Sequence, residues 1–273
     1  MGFTELNSVE HYIIHQLSGV NLNKESIAEP KSFYSVEWQY QSPEQLGRGV
    51  NEVMIETQVI EALLRLNPEI ASKPELAEEV IYKLRAILIS VNQVGLIKAN
   101  EEFFKWLTGE KTMPFGENNH HVPVRLIDFD DLTHNQYIVT NQFRIHHRET
   151  KIPDVVFIIN GIPVVVGEAK TPIRPSVSWL DGAHEVHNIY ENAVPQLFVP
   201  NILSFATEGK ELFYGAIRCP LEFWAPWRVE DDEDKIAKSL GLGEVGKELT
   251  DLLKPARLLD IMSNFSLFTT NKK

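Results

Sequence analysis

The sequence contains a single cysteine, Cys219, so no internal disulfide can staple the chain, and no Cys/His cluster has the spacing of a zinc site. No stretch approaches the ~20 uncharged apolar residues that cross a bilayer. The first residues, Met-Gly-Phe-Thr-Glu-Leu, lack the basic and then apolar segments of a secretory signal. A cytoplasmic protein without membrane contact is therefore expected. Positive charge is also scarce: 26 Lys and Arg against 38 Asp and Glu leave a formal charge of −12. That balance argues at first sight against nucleic acid, whose binding rests on Lys and Arg. The acids are unevenly spread, with −5 over residues 230–251, +3 over residues 254–273 and −10 over the rest. Handling DNA would thus require a locally basic groove, bridging metal ions or grip supplied by another subunit. Internal repeats and low-complexity tracts are absent too.

What remains is an ordinary globular composition, 43% hydrophobic and 10% aromatic over 273 residues, fewer than two domains of ~150 residues. Apolar residues at helical spacing predict helices behind Ser8 and over residues 52–66, 75–91 and 99–107. The period then shortens. Val122 to Ile127, Tyr137 to His146, Val155 to Ile159 and Ile162 to Gly167 read as consecutive antiparallel strands, followed by a helix over 182–193 and strands at 202–206 and 212–217. Beyond Arg228 an acidic stretch and two amphipathic helices read as a connector rather than core.

The chemistry concentrates in Lys151-Ile-Pro-Asp154-Val-Val-Phe-Ile-Ile-Asn160-Gly161-Ile-Pro-Val-Val-Val-Gly-Glu168-Ala-Lys170. Asn-Gly between two apolar runs is a strong hairpin signal. Ionisable groups appear only at the open ends, where they are costly unless a cation or substrate occupies that end. Two carboxylates suit a hard divalent ion such as Mg²⁺. Glu168 and Lys170, two apart on a strand, share a face and place an ammonium beside the ion, where it can orient or deprotonate a water or neutralise charge on a phosphate. Glu-x-Lys occurs five times, but only Glu168/Lys170 ends an apolar strand and follows, fourteen residues on, the chain's one Pro-Asp pair. The alternative is a solvated hairpin end with a surface ion pair worth ~0–1 kcal/mol. Parity supplies a test. In a strict two-residue turn Asp154 and Glu168 face opposite sides of the sheet, so a shared ion demands a bulge or odd loop between residues 159 and 164, with Pro163 as its plausible cause.

Pro153-Asp154 with Glu168-Ala169-Lys170 resembles the PD-(D/E)xK nuclease motif, and the surrounding sequence from about Val9 to Arg228 resembles the N-terminal endonuclease region of the restriction (R) subunit of type I restriction-modification enzymes. Leu66-Asn-Pro68, Asn100-Glu101, Pro123 to Phe129, Asn141-Gln-Phe143, Pro195 to Asn201 and Tyr214 to Ile217 carry the rest of the likeness. The resemblance implies an α/β PD-(D/E)xK core with a mixed central sheet, flanking helices and a helical insertion at 52–107. Residues 1–228 would form the endonuclease domain, and 229–273 would lead toward a motor domain. It implies Asp154, Glu168 and the Ala169 carbonyl as metal ligands, with Mn²⁺ able to substitute for Mg²⁺, and Lys170 as the catalytic lysine. An acid from the first core helix often completes such sites; Glu10 is the candidate, and it reads equally as an exposed helix carboxylate.

The family's Gln-x-x-x-Tyr motif is incomplete. Tyr190 fits the tyrosine, thought to help hold DNA, but Val186 stands four residues before it, with Glu185 and His187 alongside. No Gly-x-x-x-x-Gly-Lys-Ser/Thr phosphate loop is present, so ATP belongs to motor domains outside this chain. The implied partners are double-stranded DNA, the methyltransferase (M) and specificity (S) subunits, and helicase-like motor domains following on the same polypeptide. Cleavage without sequence preference is expected. A second reading makes the segment an inert docking domain coupling motor to methyltransferase. A third, a sugar-cleaving carboxylate pair, fits Lys170 and the apolar hairpin poorly. Metal binding by His120-His121 or His146-His147 is disfavoured because strand neighbours face opposite ways. Trp179, Trp224 and Trp227 read as packing residues rather than base-stacking ones. Arg144, Arg148 and Arg174 are candidate phosphate contacts.

Overall fold

The computed structural model describes residues 9–22, 37–171, 176–229, 244–266 and 268. Arg174 and most of the acidic stretch lie outside the described residues. The helices are α1 (His11–Ser18), α2 (Glu56–Leu66), α3 (Pro68–Ser72), α4 (Leu76–Val94), α5 (Leu96–Leu107), α6 (Trp179–His184), α7 (Glu191–Ala193), α8 (Glu244–Leu252) and α9 (Pro255–Asp260). The main strands are β1 (Gln39–Tyr40), β2 (Thr112–Met113), β3 (Val122–Pro123), β4 (Tyr137–Asn141), β5 (Ile145–His146), β6 (Thr150–Lys151), β7 (Val155–Ile159), β8 (Ile162–Ala169), β9 (Leu203–Thr207), β10 (Leu212–Gly215) and β11 (Ala225–Pro226). The fold is mixed α/β, built on a seven-stranded sheet of order β1-β4-β7-β8-β9-β10-β11 with flanking helices.

Every residue of β7 and β8 is buried, which is why these strands read as continuous apolar runs rather than alternating ones. Trp38 packs edge-on against Phe157 and Tyr137 beneath them. β8 and β9 pair in parallel, as a mixed sheet requires, because the helical segment 179–193 carries the chain back across the sheet. One expectation changes. The predicted strand at Val122–Ile127 shrinks to two residues paired with β2 in a separate ribbon. The two C-terminal helices also belong to the common core rather than to a free connector: Val245, Leu249, Leu252 and Leu258 are buried, and the Trp38 indole donates to the Leu253 carbonyl at 2.6 Å. Their apolar faces seat on α1 and Trp38, a contact between residues too distant in sequence for periodicity to announce.

The β7–β8 hairpin closes through Asn160 (φ 50°) and Gly161 (φ 80°), the left-handed pair that a type I′ turn requires. Asn160 is buried and fully engaged. Its amide donates to the Leu126 carbonyl and to Asn135, while its oxygen accepts from the Gln136 N–H and from Arg65. The Gly161 carbonyl accepts from the Ile55 N–H at 2.8 Å, so the entry to α2 sits directly on the turn. Among the described residues no helix is long and apolar enough to cross a membrane. Trp179 stacks on Phe213 at 3.7 Å, Trp224 is buried, and Trp227 donates to Asp251, so all three pack as expected from the sequence.

Candidate active site

A bulge aligns the hairpin. From the turn outward, Ile159 pairs with Ile162 and Ile158 with Pro163. The register then shifts, and Phe157 pairs with Val165, Val156 with Val166 and Val155 with Gly167. Val164, next to Pro163, is the extra residue, at the edge of the expected interval. The shift brings residue 154 opposite residue 168, so the two carboxylates project on the same face at the open end of the hairpin. Consistent with that, Asp154 Oδ2 accepts the Ala169 backbone N–H at 2.9 Å.

Around this pair the structure gathers Glu10, Gln142, Lys170, Glu185 and Tyr190. Lys170 Nζ donates to Glu168 Oε1 at 2.7 Å and to Glu185 Oε2 at 2.6 Å, and the Tyr190 hydroxyl donates to Glu185 Oε1 at 2.9 Å. Gln142 Nε2 bridges Glu10 Oε2 at 2.8 Å and Asp154 Oδ1 at 3.2 Å, while Asn141 Nδ2 donates to Glu10 Oε1 at 2.6 Å. Glu10 is thus a buried neighbour of Asp154, not an exposed helix carboxylate. Gln142 holds φ +46°, an uncommon conformation for a side-chain-bearing residue. Gly182 on α6 lies against Ala206 and the Glu168 side chain, and an added Cβ there would come within 3.2 Å of the Ala206 Cβ.

The residue missed by reading four positions back from Tyr190 is Glu185. Residues Glu185–Tyr190 form a π-helical turn, in which groups five apart stack on one another. Glu185, not Val186, therefore meets Lys170 and Tyr190, while Val186 is buried in the core. The only sequence signal for this is a carboxylate beside an α-spaced position filled by an apolar residue.

Electrostatically the site is unbalanced toward negative charge. Burial pushes the Glu168 carboxyl well above the ordinary range, and the nearby Asp154 charge adds to that; Lys170 only partly opposes it. Glu10 rises to about 7, again from burial, against the hydrogen bonds of Asn141 and Gln142. Burial also disfavours charge on Lys170, but Glu168 and Glu185 outweigh it and hold the ammonium protonated above its usual range. In Glu185 burial opposes ionisation, and the Lys170 and Tyr190 contacts outweigh it, so its carboxyl sits below the usual range. Tyr190 is shifted upward by burial and then by the two glutamates. Glu168 Oε2 is buried without a hydrogen-bond partner. A desolvated carboxylate oxygen without a protein donor, beside a second carboxylate, suits a hard cation. Among the described residues no three His, Cys, Asp or Glu side chains form a chelating group. The carboxylate pair by itself is compatible with a hard cation that binds through one or two carboxylates and keeps several waters.

Behind the site, buried Glu191 accepts the Arg218 backbone N–H at both oxygens, 3.2 and 3.1 Å, and lies 3.4 Å from Arg218 Nε. Burial raises its carboxyl to about 7 despite these contacts. Below pH 4.5 the group is neutral in both folded and unfolded chains. Between 4.5 and 7 the unfolded chain releases the proton that the folded one keeps, so stability falls by up to about 3 kcal/mol across that window. Glu191→Gln should flatten this part of the pH dependence in thermal melts run between pH 5 and 8. An unchanged slope would remove Glu191 from the account.

A cavity of about 590 Å³ lies elsewhere, bounded by α5, the start of β9, β10 and α9, and none of the site's carboxylates lines it. The family model for the type I restriction enzyme R protein N terminus matches residues 26–222. The chain is 29% identical over 247 residues to the type I restriction enzyme HindI endonuclease subunit of Haemophilus influenzae, covering 86% of this chain and 23% of that protein. It is 26% identical over 190 residues to the putative type I restriction enzyme MjaIXP endonuclease subunit of Methanocaldococcus jannaschii, covering 67% of this chain and 18% of that one. The chain thus spans less than a quarter of the length of these curated relatives.

Proposed function

Because the chain belongs to the family of type I restriction enzyme R protein N-termini, we propose that it is the DNA-cleaving part of such a subunit, with a PD-(D/E)xK core that hydrolyses phosphodiester bonds of double-stranded DNA in a Mg²⁺-dependent reaction. The observation that carries this reading is the bulge at Val164, which puts Asp154 and Glu168 on one face and leaves Glu168 Oε2 buried and open. Asp154 and Glu168, with Ala169 beside them and Glu10 behind Gln142, are the residues that would hold the cation. A bound divalent ion would supply Lewis-acid polarisation of the scissile phosphate.

The chain's own groups do the rest. Lys170, held between Glu168 and Glu185, presents its Nζ hydrogens to the oxygens on which negative charge accumulates as water attacks phosphorus and the deoxyribose oxygen leaves. Tyr190 and Glu185 fix the lysine and limit its rotamers. Cleavage without intrinsic sequence preference is part of this reading. Target choice would then rest on M and S subunits, and delivery on ATP-driven motor domains of the same polypeptide.

Calorimetric titration with Mn²⁺ tests the chemistry. One binding event in the wild-type chain that disappears in Asp154→Asn is expected. The acidic body and the glutamate in place of the family's glutamine favour a second reading, an inert domain that couples motor to methyltransferase. Absence of any Asp154-dependent binding supports that reading and rejects the first.

A further inference from the structure

A nuclease site lined by Glu10, Asp154, Glu168 and Glu185 repels the phosphate backbone it is proposed to cut, so cations must be offered beside it. The segment that joins β4 to the Asp154 end of β7 offers them. Residues 142–151, Gln-Phe-Arg-Ile-His-His-Arg-Glu-Thr-Lys, hold Arg144, Arg148 and Lys151 against the single acid Glu149, a net +2 in a chain of −12. They fold into the two-stranded β5–β6 ribbon, with Ile145 opposite Lys151 and His146 opposite Thr150. Ile145 is buried and anchors one face, while His146 and Thr150, joined at 3.0 Å, are exposed on the other together with Arg144 and Arg148.

The ribbon is held rather than loose. Arg48 lies over the Phe143 ring at 3.5 Å and donates to the Arg144 carbonyl, clamping the base. The His146 N–H reaches the Val50 carbonyl at 2.8 Å, and the Arg148 N–H reaches the Ala193 carbonyl at 3.4 Å. The Arg148 guanidinium meets Asn92 Oδ1 on α4 at 3.3 Å, which sets its direction without cancelling its charge. The ribbon's base is continuous with the site. The Gln142 N–H donates to the Asp154 carbonyl at 2.9 Å, and the Gln142 side chain touches both Asp154 and Glu10.

We infer that this ribbon is the surface that grips the DNA backbone next to the scissile phosphate, with Arg144 and Arg148 contacting phosphates; the inference rests on the nuclease reading above. Phosphate contacts of this kind position a duplex and carry no sequence information.

The test is fluorescence anisotropy of a labelled random-sequence duplex titrated with the chain over a range of NaCl concentrations. Losing two phosphate contacts should weaken binding at low salt by about tenfold or more. It should also make the slope of log affinity against log salt shallower by about 1.8 in Arg144→Ala/Arg148→Ala. Arg144→Lys/Arg148→Lys should keep the slope, which a merely structural role would not require, and matching thermal midpoints exclude misfolding. An unchanged slope in the alanine variant, or no duplex binding by the wild-type chain, overturns the assignment. A fallen slope with no Asp154-dependent Mn²⁺ binding leaves the surface standing and removes the chemistry, so the two failures are distinct.

Discussion

Under the proposed nuclease function, Lys170→Ala should reduce double-strand cleavage of supercoiled plasmid by the complete complex, assayed with ATP and Mg²⁺, by roughly 10²–10³-fold, the loss typical of removing one preorganised donor to a developing oxyanion. The side chain is nearly enclosed and shared between Glu168 Oε1 and Glu185 Oε2, so its charge sits where the phosphoryl oxygens would arrive. Truncation also strands Glu168, Glu185 and Asp154 without their neighbouring ammonium, and the cluster must take up a proton to relieve the repulsion. Lys170→Arg, which keeps the charge but not its shape, should retain part of the activity. Random-duplex affinity of the alanine variant should stay near wild type, because the grip is assigned to the ribbon. Undiminished cutting would reject the role given to Lys170.

The largest expected effect on stability is at Gly167. A methyl group built there would fall within the ring of Phe205, its partner across the parallel β8–β9 pair, and Phe205 is fully buried between Phe157 and the helices. The ring has no solvent side to move to, so Gly167→Ala should cost toward the upper end of ~1–3 kcal/mol. For a chain of this size that corresponds to a fall in thermal midpoint of roughly 6–12 °C. Trimming the ring should recover part of the loss. Phe205→Leu is destabilising alone through its cavity, yet Gly167→Ala/Phe205→Leu should be more stable than the sum of the two single effects predicts. Strict additivity in denaturant unfolding would show that the ring is not what excludes a side chain. Gly167 precedes Glu168 on the opposite face, so the glycine also lets β8 lie close to β9 and deliver its carboxylate.

Much of the candidate site was legible because strands obey a period of two. Asn160-Gly161 announced the turn, Pro153-Asp154 and Glu168-Ala-Lys170 announced its open end, and counting across the turn demanded one extra residue, which the structure supplies at Val164. Glu185 was not legible. A π-helical turn changes which residue meets Tyr190, and nothing in the spacing of the six residues announces it. Gln142 carried no signal either, since its positive φ is imposed where β4 ends and the ribbon begins. Glu10 was equally readable as a surface residue until Asn141 and Gln142, more than 130 positions away, were placed against it.

The amino-acid order alone therefore determined the hairpin, its chemistry-bearing ends and the parity that a shared cation requires, since all of these depend on neighbours within about twenty residues. Only the tertiary structure decided the parallel docking of β9, the burial of α8 and α9 in the common core, the entry of Glu10 and Glu185 into the site, and the basic ribbon beside it. The docking of β9, α8 and α9 and the entry of Glu10 join residues far apart in sequence and depend on how whole apolar faces fit together. Glu185, only fifteen positions from Lys170, enters through a π-helical turn, and the ribbon's place beside the site is set by how it is anchored on the rest of the fold.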